Sequence, residues 1–147
     1  MADAAAFNQA LKDFVVQDVP QLVSQVQRKI CLDALTKLVM KTPVRTGRAR
    51  GNWQVGINQQ PKGEAVGAVQ AVSGSMGAAF QIAGRFDPDG RATIAEGEGT
   101  IKMMPPFVVC YITNNVSYIL KLEDGGSKQA PQGMLAVTFD ELIAGLQ

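Results

Sequence analysis

Residues 107–113 read FVVCYIT, an unbroken run of strand-favouring side chains. A run with no polar alternation is the pattern of a strand covered on both faces, so it predicts the centre of a sheet. Downstream, Asn114 and Asn115 turn the chain, Tyr118, Ile119 and Leu122 have the spacing of one helical turn, and Gly125 with Gly126 supplies a left-handed stop. The polar loop SKQAPQG follows. Leu135, Phe139, Leu142 and Leu146 then recur at intervals of four, three and four, predicting a closing amphipathic helix over residues 131–146.

Working upstream, Thr93 and Glu96 have capping-box spacing and lead toward Ile94 and Ile101. Gly97 and Gly99 each weaken a helix by about 1 kcal/mol relative to alanine, so a short or frayed helix is expected there. Residues 73–90 are rich in Gly and Ala, lack periodicity and exceed the usual length of a connection, which predicts an extended loop or arm. Residues 65–72, made of small side chains, read as a partner strand. Trp53, Val55 and Ile57 alternate with Gln54, Gly56 and Asn58, the period of a strand with one face buried, and Pro61 with Gly63 marks the turn after it. Residues 44–51 read as a loop.

Before that loop, Val23, Val26, Ile30, Ala34 and Leu38 form one stripe, widened by Leu22, Leu35 and Val39, with Arg28, Lys29, Asp33 and Lys37 on other faces. This predicts a long helix to about Met40, ended by Thr42 and Pro43 because proline disfavours helical geometry in the preceding residue. Phe7, Leu11, Phe14 and Val15 predict a shorter helix over residues 4–16, interrupted by Pro20, with Asp18 and Gln21 as the capping box of the next. The expected fold is α+β: N-terminal helices, one of them long, packed on a small, mainly antiparallel sheet, with a C-terminal helix, all in one domain over residues 1–147.

Composition narrows the function. With 147 residues, the chain suits one packed core rather than two, and 46% hydrophobic with 18% charged residues is globular rather than disordered. A formal charge of +1 provides no global field toward nucleic acid or an anionic membrane. No apolar run reaches the length of a bilayer span, and export by a standard signal peptide is not expected from MADAAAFNQALKDF. Cys31 and Cys110 are expected to be buried free thiols, too few for a four-ligand metal site. The chain holds no histidine, which removes the usual general base and the Ser-His-Asp arrangement. We therefore expect no enzyme, no cofactor and no metal.

Individual constellations read as structural patterns rather than as sites. Asp87, Asp89 and Glu98 match three positions of a calcium loop, but Arg91 stands where an oxygen ligand belongs and Ala92 replaces the turn glycine. Asp-Pro-Asp-Gly is ordinary turn composition. SGSMG lacks the glycine two residues before Ser75 that a nucleophile elbow needs, and the glycine clusters are not followed by the lysine and hydroxyl of a phosphate loop. Arg45, Arg48 and Arg50, after Lys41, concentrate positive charge on one loop. Three readings stand: a solvated loop, a salt-bridging contact to a neighbouring subunit, or a contact with DNA. Trp53 is expected in the core, with an interface anchor as the alternative, and Tyr111 and Tyr118 likewise.

Two segments together carry a resemblance. TPVRTGRARGNWQV, residues 42–55, and YITNNVSYILKLEDGGSKQAPQGM, residues 111–134, resemble the tail-completion family of tailed bacteriophages, minor-tail or neck proteins that join head to tail. The second segment has the family's Ile-Thr-Asn-Asn-x-x-Tyr strand end, short helix and Ser-Lys-Gln-Ala-Pro-x-Gly loop. A long helix before the first segment and a helix after the second extend the likeness over most of the chain apart from residues 73–86. Arg45 departs from the acidic residue more frequent in the family, and Asp124-Gly125-Gly126 replaces an aromatic or bulky residue.

The resemblance implies a ring-forming virion component at the head-proximal end of a tail, without catalysis or cofactor. Its partners would be further copies of itself, other neck, head-connector and tail proteins, and in passing the genomic DNA. A tail-terminator ring capping the tail tube, or a nucleic-acid-binding module using the arginine loop, are the alternatives. Two loops are expected at subunit contacts: Arg45, Arg48, Arg50 and Asn52 in the first, and Ser127, Lys128, Gln129 and Pro131 in the second. The glycine-rich segment is expected to order on assembly.

Overall fold

The computed structural model describes residues 2–66 and 85–147. Most of the expected partner strand, residues 67–72, and residues 73–84 of the expected arm lie outside the described residues. Ala65 and Val66 are not in a strand.

The chain begins with α1 (Ala2–Asp13), a π-helical turn (Phe14–Asp18) and α2 (Val19–Lys41), joined as one continuous rod. The expected break at Pro20 does not occur. Asp18 has helical dihedrals and makes no capping bond, and the Val19 amide donates to the carbonyl of Phe14, five residues back. Widening one turn by a residue accommodates a proline that has no amide of its own to donate. The rod ends where expected. Thr42 turns to extended geometry, its amide still bonded to Leu38 and Val39, and its hydroxyl donates to the Leu38 carbonyl at 2.6 Å.

After a single helical turn, α3 (Arg48–Gly51), strand β1 (Trp53–Ile57) pairs antiparallel with β2 (Cys110–Asn114), Trp53 opposite Asn114 and Ile57 opposite Cys110. Among the described residues the sheet has these two strands. The expected central strand over residues 107–113 is thus corrected: Phe107 has a left-handed φ of 61°, Phe107 and Val109 are exposed, and β2 is only half-buried. Pro105 and Pro106 donate no amides to a ladder, and Asn58, also left-handed, ends β1 opposite Val109.

Between the strands lies α4 (Arg91–Lys102), twelve residues long rather than short or frayed. Its cap is not the Thr93–Glu96 pair. Buried Asp87 accepts the Thr93 amide at 2.8 Å and the Thr93 hydroxyl at 2.6 Å. Gly97, read as a weak point, is the contact with α2: a Cβ there would stand 2.2 Å from Leu35 Cδ2 and 3.0 Å from Val55 Cγ2. The glycine lets two helices and β1 approach more closely than a larger residue permits.

A short α5 (Ile119–Glu123) follows β2, stopped by left-handed Gly125 as expected, and α6 (Leu135–Gly145) closes the chain. The core joins Leu35, Leu38 and Val39 of α2, Trp53 of β1, Ile101 of α4, and Ala130 and Met134 ahead of α6. Each of the Leu, Val, Ile and Met side chains among them contributes about 1.5–3 kcal/mol by leaving water. On α6 the burial differs from a core-facing stripe: Thr138 is buried, whereas Leu135, Phe139 and Leu146 of that stripe are exposed. Both cysteines are free and half-buried rather than buried. The neighbouring Cys31 thiol, together with burial, pushes the Cys110 thiol up. The architecture is α+β.

Candidate interface groove

Thr42 and Trp53 bracket the first distinctive segment and fix it to the end of α2. The Trp53 indole N–H donates to the Thr42 hydroxyl at 2.8 Å, inside the core. Arg50 donates to the carbonyls of Met40, Thr42 and Pro88 at 2.8–3.2 Å. A cation bonded to the last carbonyls of a helix satisfies groups left without partners and offsets the negative end of its dipole.

Arg48 forms a two-pronged pair with Glu64, at 2.7 and 3.0 Å, whose hydrogen bonds and charge raise the arginine pKa. Asn52 is wholly buried: its amide donates to the Arg48 carbonyl at 2.7 Å and its oxygen accepts the Ala65 amide at 2.7 Å. Arg48, Arg50 and Asn52 therefore have their partners within the chain itself. Arg45 is exposed and has no ion pair or hydrogen bond among the described residues.

The second segment is equally fastened. Ser127 Oγ accepts the Gln129 amide at 3.2 Å, its carbonyl accepts the Ala130 amide at 3.1 Å, and Ala130 is buried in the core. Glu123 at the end of α5 accepts the amides of Met134, Leu135 and Ala136 at 2.8, 2.9 and 3.1 Å, capping α6 from eleven residues away. Burial works to raise the Glu123 pKa, but the three amides outweigh it and hold it below the usual carboxylate value. Gly133 is left-handed at φ 79°, and a Cβ there would meet the Glu123 carbonyl at 2.4 Å. Lys128 and Pro131 stand exposed on the outer side.

Gln129 joins the two segments. Its oxygen accepts the Val44 amide at 2.9 Å and its nitrogen donates to the Val44 carbonyl at 3.1 Å, across 85 residues of chain. Beside this clamp lies a groove of about 630 Å³, with Ala49, Tyr118 and Leu122 along its wall and Arg45, Ser127 and Gln129 among its lining residues. It is a concave surface with apolar walls and hydrogen-bonding groups beside them. Asp87 and Glu98 do not meet: Asp87 caps α4, while Glu98 pairs with Lys102 at 2.9 Å. Among the described residues no three His, Cys, Asp or Glu side chains form a metal-binding group.

Glu64, Glu123 and the clamping role of Gln129 were not foreseen. Their partners are backbone groups or a distant arginine, so no local pattern announces them. No protein-family model, no curated protein and no solved structure matches this chain.

Proposed function

We propose that this protein is a structural virion component of a tailed bacteriophage, forming a ring at the neck that joins the tail to the head-connector proteins. The observation that supports the reading is the Gln129–Val44 clamp. The two segments that resemble tail-completion proteins, far apart in sequence, form one braced surface with a groove between them. Ring closure needs two different patches per subunit. The groove is one. The exposed face of α6, with Leu135, Phe139 and Ile143, is a second, and its apolar character suits a contact that stays buried in the assembly.

On this reading the protein is made in the host cytoplasm, ends in the particle, and works by contact rather than by turnover. The nucleic-acid reading is less well supported, because Arg48 and Arg50 are engaged within the subunit and leave Arg45 and Lys128 as the exposed cations of these loops. A tail-terminator ring remains the nearest relative of the proposal. Electron microscopy of the purified protein tests the ring: closed rings are expected at raised concentration, and protein that stays non-annular under all conditions counts against it.

A further inference from the structure

The N-terminal rod has a second apolar face that the fold leaves uncovered. Every residue from Asp3 to Asp18 is exposed, including Phe7 at 66%, so this part stands away from the rest of the described residues. A lone helix of that length is marginal in water unless something packs on its apolar face.

The exposed residues Phe7, Leu11, Phe14, Leu22 and Val26 are spaced four, three, eight and four apart. At about 100° per residue, a step of eight would throw Leu22 about 80° off the line of Phe14. The π-helical turn lies within that step. It takes up one extra residue, so the step behaves as seven and the residues return to one seam with heptad spacing. The seam faces away from the core: Leu35, wholly buried, is nine residues from Val26 and so about half a turn round the helix. Among the described residues this seam is open for a second helix to lie along it.

Charge specifies that helix. Asp3 stands four residues before Phe7 and Lys29 three after Val26, so the seam ends in an anion at one end and a cation at the other, both exposed. Neither has an ion-pair partner among the described residues. Residues 3–18 hold three aspartates and one lysine, a net of −2, whereas residues 19–41 hold four basic side chains and one aspartate, a net of +3.

We propose that this seam pairs, antiparallel, with the same seam of a second copy of the chain. Phe7 then lies opposite Val26 of the other copy, Leu11 opposite Leu22, and Asp3 beside Lys29 at both ends. A parallel pair would set aspartate against aspartate and lysine against lysine. The exposed seam amounts to roughly 600 Å² of side chain on each copy, so two copies cover about 1,200 Å², the lower bound of a specific interface. The pairing is two-fold and uses the rod rather than the groove, so it does not rest on the ring reading.

Sedimentation equilibrium of the full chain and three variants tests it. At concentrations below those at which rings are expected, the wild-type chain should dimerise, and L11Q/L22Q should be monomeric with unchanged Trp53 fluorescence, since both leucines are exposed in the single chain. D3K alone should weaken the dimer by about tenfold, and D3K/K29D should restore it. A monomeric wild type, an L11Q/L22Q variant that associates as before, or a D3K/K29D chain no tighter than D3K would each overturn the proposal.

Discussion

Replacing Glu123 by glutamine keeps an oxygen that can accept two of the amides at the start of α6 and removes the charge. The three bonds, at 2.8, 2.9 and 3.1 Å, are charge-assisted in the native chain. Such bonds are about twice as strong as neutral ones, and partial exposure reduces the difference, so E123Q is expected to cost about 1–2 kcal/mol. For a chain of this size that corresponds to a fall in Tm of about 3–6 °C. The loss depends on pH in a stated direction. Because the folded pKa lies below its ordinary 4.5, the carboxylate contributes its stability above that value and loses it as pH falls through the folded pKa. Thermal melts followed by circular dichroism should therefore show a gap between wild type and E123Q at about pH 7 that narrows as the pH falls below the ordinary 4.5 and on through the folded pKa. Equal melting temperatures at neutral pH, or a gap that persists undiminished in acid, would refute the reasoning.

Two further substitutions probe packing and the groove. G97A should lower stability by about 1–2 kcal/mol in urea denaturation, although alanine favours a helix, because the added methyl meets buried Leu35; an unchanged or raised midpoint would contradict this close approach. Q129A removes both bonds to Val44 and should cost about 1 kcal/mol while speeding amide exchange at Val44, read by hydrogen-exchange mass spectrometry; unaltered exchange there would mean the clamp does not brace the loops.

Where the chain's pattern and its own body coincide, the fold was legible. The second half of the long helix and the alternation at Trp53 and Val55 were read correctly because their apolar sides meet the core. On α6 the difference has a plain cause: periodicity reports that a face needs cover, not what covers it. Leu135 and Phe139 have ideal helical spacing yet are exposed, and the run before Cys110 is apolar yet follows two prolines that cannot donate to a ladder. Pro20 was taken for a break because a π-helical turn has no sequence signature of its own. Gly97 was read by its helix propensity, whereas its position is decided by Leu35 and Val55, distant in sequence. At the candidate site, composition located both loops, but the engagement of Arg48, Arg50 and Asn52 was invisible since their partners are Glu64 and backbone groups.

We propose that braced loops on this scaffold join subunits in a phage neck. Electron cryo-microscopy of tailed-phage particles assembled in cells that make the protein tests this directly. The account predicts a closed ring between head and tail, with residues 43–49 and 126–129 at each subunit boundary. Particles that lack the chain, or a ring in which those loops face open solvent, would contradict it.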